Sequence, residues 1–190
     1  MVGMIKQTVA VQSNFKAQNI ANTLWAFATL KLQPSEELMV GMMTQAVAVQ
    51  SNFKAQKIAN TLWAFAMLGL QPSEEVMAGM MKQALAVQGD FIPQNIANTL
   101  WAFATLGLQP SKELMAGMMM QVVSMQSDFN AQGIANTLWA FATLGLQPSE
   151  AFLVGLTARA VEITSIILVL FIFLFHFMYV HTYIGIHIYS

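Results

Sequence analysis

Residues 20–28 read Ile-Ala-Asn-Thr-Leu-Trp-Ala-Phe-Ala, and the same nine residues return at 58–66, 96–104 and 134–142. Trp25, Trp63, Trp101 and Trp139 therefore stand 38 residues apart without exception. A period of this length belongs to helical arrays, in which each unit is one supersecondary element that buries its apolar face only by stacking on its neighbours. Working outward from these anchors gives four units, at 14–51, 52–89, 90–127 and 128–165. Residues 1–13 read as a partial repeat, the second helix only, since Met1-Val2-Gly3-Met4 matches Met39-Val40-Gly41-Met42. The chain thus reads as opening inside a repeat, as a fragment of a longer protein would.

Each unit reads as two helices. The first spans about Ala17 to Leu30, and in the third unit Pro93 marks its first turn, where a missing N–H costs nothing. Gly69, Gly107 and Gly145 follow the last apolar turn, where a left-handed residue closes a helix; Lys31 takes that place in the first unit. After the Leu-Gln-Pro-Ser turn, Ser35, Ser73, Ser111 and Ser149 stand as N-caps, followed by acidic residues that suit the positive end of the helix dipole. Lys112 is the discordant charge. The second helix, from Glu36 to about Gln50, carries Leu38, Met42 and Val49 on one side with Met39, Met43 and Ala46 beside them. Both helices are apolar over more than half their girth, which suits a solenoid. Gly41, Gly79, Gly117 and Gly155 recur in mid-helix at roughly 1 kcal/mol each relative to alanine, which predicts close approach of another helix backbone there. The methionines read as flexible fillers between repeats, or as an adaptable binding surface.

The fold class is all-α: a right-handed-type α-solenoid of stacked helical hairpins, four 38-residue repeats, plus a C-terminal apolar helix. With 56% hydrophobic and 9% charged residues the chain is not disordered, and the absence of cysteine excludes a disulfide framework or a cysteine nucleophile. No Gly-rich phosphate loop, Gly-x-Ser-x-Gly or His-Glu-x-x-His occurs, so no enzyme is expected. No cofactor and no metal are expected either, because His176, His181 and His187 have no carboxylate with them.

The formal charge is −1, so the positive excess usual for nucleic-acid binders is faint. The charges are nonetheless sorted: in an antiparallel pair, Lys16, Lys54 and Lys57 share one edge while Glu36, Glu37, Glu74 and Glu75 fall on the other. That edge reads as a solvated rim or as a track for phosphates, with Asp90 and Asp128 weakening it further along. At 100° per residue, Gln18, Asn22, Ala26 and Thr29 share one side of the first helix, with Trp25 about 60° from Asn22. Repeated, this makes a ladder of Asn22, Asn60, Asn98 and Asn136 beside Trp25, Trp63, Trp101 and Trp139. Helical RNA-reading arrays set two or three side chains per repeat against one base. The bland reading is that the indoles, so near Ile20, Leu24 and Phe27, are mostly core, and that the asparagines bond neighbouring backbones. The copies differ at the first turn, as Asn19, Lys57, Asn95 and Gly133 and as Lys16, Lys54, Ile92 and Asn130; if bases are read, these are the positions to vary the reading. Repeats this alike imply a monotonous RNA or loose reading, or else recent duplication.

The pattern Phe-x-x-Gln-x-Ile-Ala-Asn-Thr-Leu-Trp-Ala-Phe-Ala-x-Leu-Gly, here Phe129 to Gly145, resembles the octotricopeptide repeats, 38-residue helix-hairpin units of organelle proteins. The resemblance covers nearly all of residues 1–165. It implies sequence-selective binding of single-stranded RNA in a chloroplast or mitochondrion, aiding RNA processing, stability or translation. The RAP domain that often ends such proteins has no match here, which puts any effector role in doubt.

Residues 166–190 break the repeat. From Ile163 to Val180 no charge occurs apart from the titratable His176, the lower limit for a membrane span. The competing reading is translated non-coding sequence, since Tyr179 to Tyr189 uses amino acids encoded by alternating purine–pyrimidine triplets. The expected function is an RNA-binding module; the alternatives are a protein–protein scaffold and a membrane-anchored helical protein held through residues 163–180. Self-association through the uncovered opening half-unit is expected as well.

Overall fold

The computed structural model describes residues 14–165, and these form an all-α solenoid of eight α-helices without a strand among the described residues. The first helices of the four units are α1 (Ala17–Leu30), α3 (Ala55–Leu68), α5 (Pro93–Leu106) and α7 (Ala131–Thr143). The second helices are α2 (Glu36–Ala48), α4 (Glu74–Ala86), α6 (Lys112–Ser124) and α8 (150–165). The partial repeat at 1–13, with the self-association expected of it, and the apolar tail at 166–190 lie outside the described residues. So does nearly all of the 163–180 span; among the described residues no helix is long and apolar enough to cross a membrane.

The two helix rows are not packed alike. Each first helix lies closely along the next, α1 on α3, α3 on α5 and α5 on α7, while the second helices touch more sparingly. Composition explains this, because the first helices meet through Ala21, Ala59, Ala64, Ala97 and Ala102, all buried, whose small side chains let the helix axes approach. Behind this row one continuous core runs through all four units. Ile20, Ile58, Ile96 and Ile134 are buried in it with Phe53, Phe91 and Phe129, and the second helices contribute Leu38, Val76, Leu114 and Phe152. Met39, Met42, Met77, Met80, Met115 and Met118 are buried between the units, as flexible fillers would be.

The helix ends follow their local chemistry. Ser35, Ser73, Ser111 and Ser149 accept the N–H three residues on through Oγ at 3.2–3.3 Å. In the third unit the backbone and Ser111 hydrogen bonds, with Lys112 alongside, hold the Glu113 carboxyl below its ordinary range. Each first helix closes with a paired 6→1 and 5→2 motif, as in Leu70 N–H to Phe65 O at 3.0 Å and Gly69 N–H to Ala66 O at 3.2 Å. The residue at its centre has φ of 65–67° at Gly69, Gly107 and Gly145, and Lys31 is forced to 55° in the same role.

Two glutamine ladders, which periodicity alone does not reveal, tie the array together. Gln33, Gln71 and Gln109 each donate from Nε2 to the carbonyl of Leu68, Leu106 and Leu144, at the end of the next unit's first helix, at 3.0–3.2 Å. Gln45 and Gln83 donate to Phe15 O and Phe53 O within their own units, at 2.9 and 3.0 Å. Arg159, which replaces glutamine at that place in the fourth unit, does the same to Phe129 O at 3.2 Å.

The mid-helix glycines differ from expectation. What fills the space beside Gly79, Gly117 and Gly155 is a glutamine side chain and not a helix backbone. A Cβ on these residues would collide with Oε1 of Gln50, Gln88 and Gln126, which come from the 3-10 turns Gln50–Asn52, Gln88–Asp90 and Gln126–Asp128. The linking turn, not the neighbouring helix, sets the requirement for glycine.

Candidate nucleic-acid interface

The outward side of the first-helix row carries the amide and indole ladder. A groove of about 510 Å³ runs across it from α1 to α7, with Trp25, Trp63, Asn60, Asn98 and Asn136 in its walls. Gln94, Gln132 and the loop residues Ile92 and Asn130 complete its rim, and Asp128 is the one charged residue in its lining. Helices placed side by side at one repeat per step bring these side chains together, although they are 38 residues apart in the chain.

The indoles reach this face, with Trp63 and Trp101 packed partly against the core. Trp25 and Trp139 are each 46% exposed, and Trp63 and Trp101 are half-buried. The mostly buried environment expected from Ile20, Leu24 and Phe27 is therefore corrected for Trp25 and Trp139, while Trp63 and Trp101 stay partly buried against the core. The 100° step sends Ile20, Leu24 and Phe27 inward, and the indole one residue past Leu24 emerges at the seam with the next first helix. The four sites are also graded, because the outer helices α1 and α7 each have one first-helix neighbour among the described residues while α3 and α5 have two. Trp101 and Trp139 pair across the α5–α7 seam, with ring centroids 6.4 Å apart and planes inclined at 33°.

Asn22 is exposed at the edge of this row, and its Oδ1 accepts from Nζ of Lys57 on the next helix at 3.4 Å. Asn60, Asn98 and Asn136 are half-exposed in the groove wall. None of the three has a side-chain hydrogen bond among the described residues, so their amides are open to a ligand on both donor and acceptor sides. Lys16 and Lys54 are exposed at the N-caps of α1 and α3. The one ion pair among the described residues is Arg159–Glu162 at 2.8 Å, which leaves Lys16, Lys54 and Lys57 unpaired there.

The first-turn positions that vary between copies take different environments. Asn19 is exposed and its Oδ1 accepts the Lys16 N–H at 2.9 Å, a capping contact. Asn95, one repeat on from Lys57, is only 5% exposed. This position faces the preceding first helix, as the 3.9 Å from a Cβ on Gly133 to the Cβ of Ala97 shows; the short Asn95 is covered there, while the longer Lys57 is only partly buried. Gln94 and Gln132 line the groove although the sequence reading singled out only Gln18 of that series; their placement on the Asn22 stripe was the available signal.

Among the described residues no three His, Asp or Glu side chains gather as metal ligands would. Chemically the groove offers neutral donors and acceptors beside the indoles of Trp25 and Trp63, with the Asp128 carboxylate in its lining and the lysines outside it at the α1–α3 end.

Residues 3–169 match the family of the RNA-editing substrate-binding complex 6 proteins. The chain belongs to that family. Membership in the RNA-editing substrate-binding complex 6 family supports the coarse part of the resemblance, an RNA-associated helical protein; the narrower octotricopeptide assignment stays a likeness of period and motif. No curated protein matches the chain.

Proposed function

We propose that this chain is an RNA-binding helical-repeat module that lays single-stranded RNA along the groove of its first-helix row. The observation that carries this reading is the repeat-equivalent set Asn60, Asn98 and Asn136, free in one groove wall beside the exposed indole of Trp25 and the half-buried indole of Trp63. Unpaired bases have π-faces to stack and polar edges to bond, which a duplex hides from so shallow an array. Lys16, Lys54 and Lys57 supply the phosphate contacts. Since the net charge is −1, most of the affinity comes from stacking, at roughly 1–3 kcal/mol per base.

The family name speaks of an RNA-editing substrate-binding complex, and an RNA partner within a protein assembly suits this chain. RNA-editing complexes are mitochondrial, which favours the mitochondrion of the two compartments the resemblance implied. The proposed role is binding in support of RNA processing, without a catalytic step of its own and without a cofactor. Titration of the full chain with a random pool of single-stranded RNA at low salt, followed by tryptophan fluorescence, tests the reading. Saturable quenching is expected, and a folded chain whose fluorescence and mobility ignore the pool overturns it.

A protein-scaffold reading has its own observation. The second-helix side exposes Val40, Met120, Val154 and Val161, with Met120 at 68%, away from the groove. A partner protein on that side is compatible with RNA on the other, as membership of a complex requires.

A further inference from the structure

We infer, resting on the RNA reading above, that the groove reads the same base at each step and so selects a run of one nucleotide. Helical-repeat readers take one base per repeat through two or three side chains, so the base chosen at each step follows from the side chains presented at that step. Across the α3, α5 and α7 steps the presented amide is always asparagine, Asn60, Asn98 and Asn136, and the two flanking rim amides, Gln94 and Gln132, are identical as well.

Of the positions that differ between copies, Ile92 and Asn130 stand at the groove's rim, and the others bring no further side chain into its wall. Asn95 is 5% exposed and sits beneath the seam. Its equivalent in the next unit is Gly133, which has no side chain to offer. At the rim Ile92 is aliphatic, while Asn130 accepts the Gly133 N–H through Oδ1 at 2.7 Å and keeps its amide N–H donors unbonded among the described residues. Lys57 stands at the α1–α3 end against Asn22, where its charge serves a phosphate whatever the base. The amides of the groove wall are thus uniform, and the variation among copies is confined to the rim at Ile92 and Asn130 and to the α1–α3 end at Lys57.

In a bidentate contact an asparagine amide presents one donor and one acceptor, and every base has an edge with that pair, so the repeated asparagine points to uniformity and leaves the identity of the base to measurement. The experiment compares the full chain's affinity for 12-nucleotide homopolymers of U, A, C and G with its affinity for a mixed 12-mer of all four bases, at one salt concentration. One homopolymer is expected to bind about tenfold or more tightly than the mixed strand, the scale of a single well-formed bidentate contact. Asn98→Ala is expected to shrink that ratio while the thermal transition is kept. A mixed strand that binds as tightly as the best homopolymer overturns the inference and leaves RNA binding intact. Absence of binding to all five strands overturns the RNA reading itself.

Discussion

The ammonium of Lys57 reaches 3.4 Å across the α1–α3 seam to Oδ1 of Asn22, so a cation of the second unit stands on the amide stripe of the first. Lys16 and Lys54 open the same two helices, and no carboxylate among the described residues pairs with any of the three. Replacing the three by alanine is expected to weaken RNA binding evenly across sequences and to flatten the plot of log K against log salt by about 0.7 per lost contact. Stability should move by less than about 0.5 kcal/mol per site, as at other surface positions.

Trp63 tests the stacking surface. Its ring is half-buried at the α3 step of the groove, so Trp63→Ala removes both packing and a base platform. The expected loss in RNA affinity is about 1–3 kcal/mol. Trp25→Ala, at a more exposed site in the same wall, should cost similar affinity with a smaller drop in melting temperature. Calorimetry with and without RNA separates the two effects.

Lys31 holds φ of 55° where the other three units place glycine. A side chain in the left-handed region carries about 1–2 kcal/mol of strain that glycine escapes. Lys31→Gly is therefore expected to stabilise the array by about 1 kcal/mol, read from urea midpoints at unchanged slope.

Thr61, Thr99 and Thr137 are fully buried, and their hydroxyl oxygens have no hydrogen-bond partner. An unbonded buried hydroxyl costs about 1–3 kcal/mol in proteins, and valine has nearly its shape. Thr99→Val should raise the melting temperature; a lower one would show that the hydroxyl has a partner that the packing hides.

Gln88 and Gly117 are coupled. In the wild-type background, Gly117→Ala sets the helix gain of about 1 kcal/mol against the cost of pushing the Gln88 amide from its place. In a Gln88→Ala background the whole gain should appear, so the double-mutant cycle is expected to show a coupling of about 0.5–3 kcal/mol. Additive effects would mean that the glutamine moves aside freely.

Caps and closures were legible in the sequence because each is a local event: Ser35 meets Leu38 three residues on, and Gly69 closes a helix with its own last turns. The fold class followed from the period for the same reason. What the sequence hid depends on neighbouring units. A helix apolar on most of its girth does not tell which edge meets the next helix, so Trp25 and Trp139 read as core yet lie open. Asn95 and Lys57 occupy one repeat position, but asparagine is short enough to be covered by the seam and lysine long enough to leave it. The glutamines at 33, 71 and 109 stand in the sequence only as part of the Leu-Gln-Pro-Ser turn, since the carbonyls they bind are 35 residues away.

That last ladder bears on how such a chain can change length. Each of the two middle units carries both the amide that completes the following unit's first helix and the carbonyl that the preceding unit completes. A duplication of one whole period therefore adds a donor and an acceptor together and leaves no broken bond at either junction. A duplication of part of a period strands one of them at the splice. The glutamine link makes the 38-residue segment the length that the array can gain or lose without a broken bond, and the near-identity of its copies accords with gain in that unit.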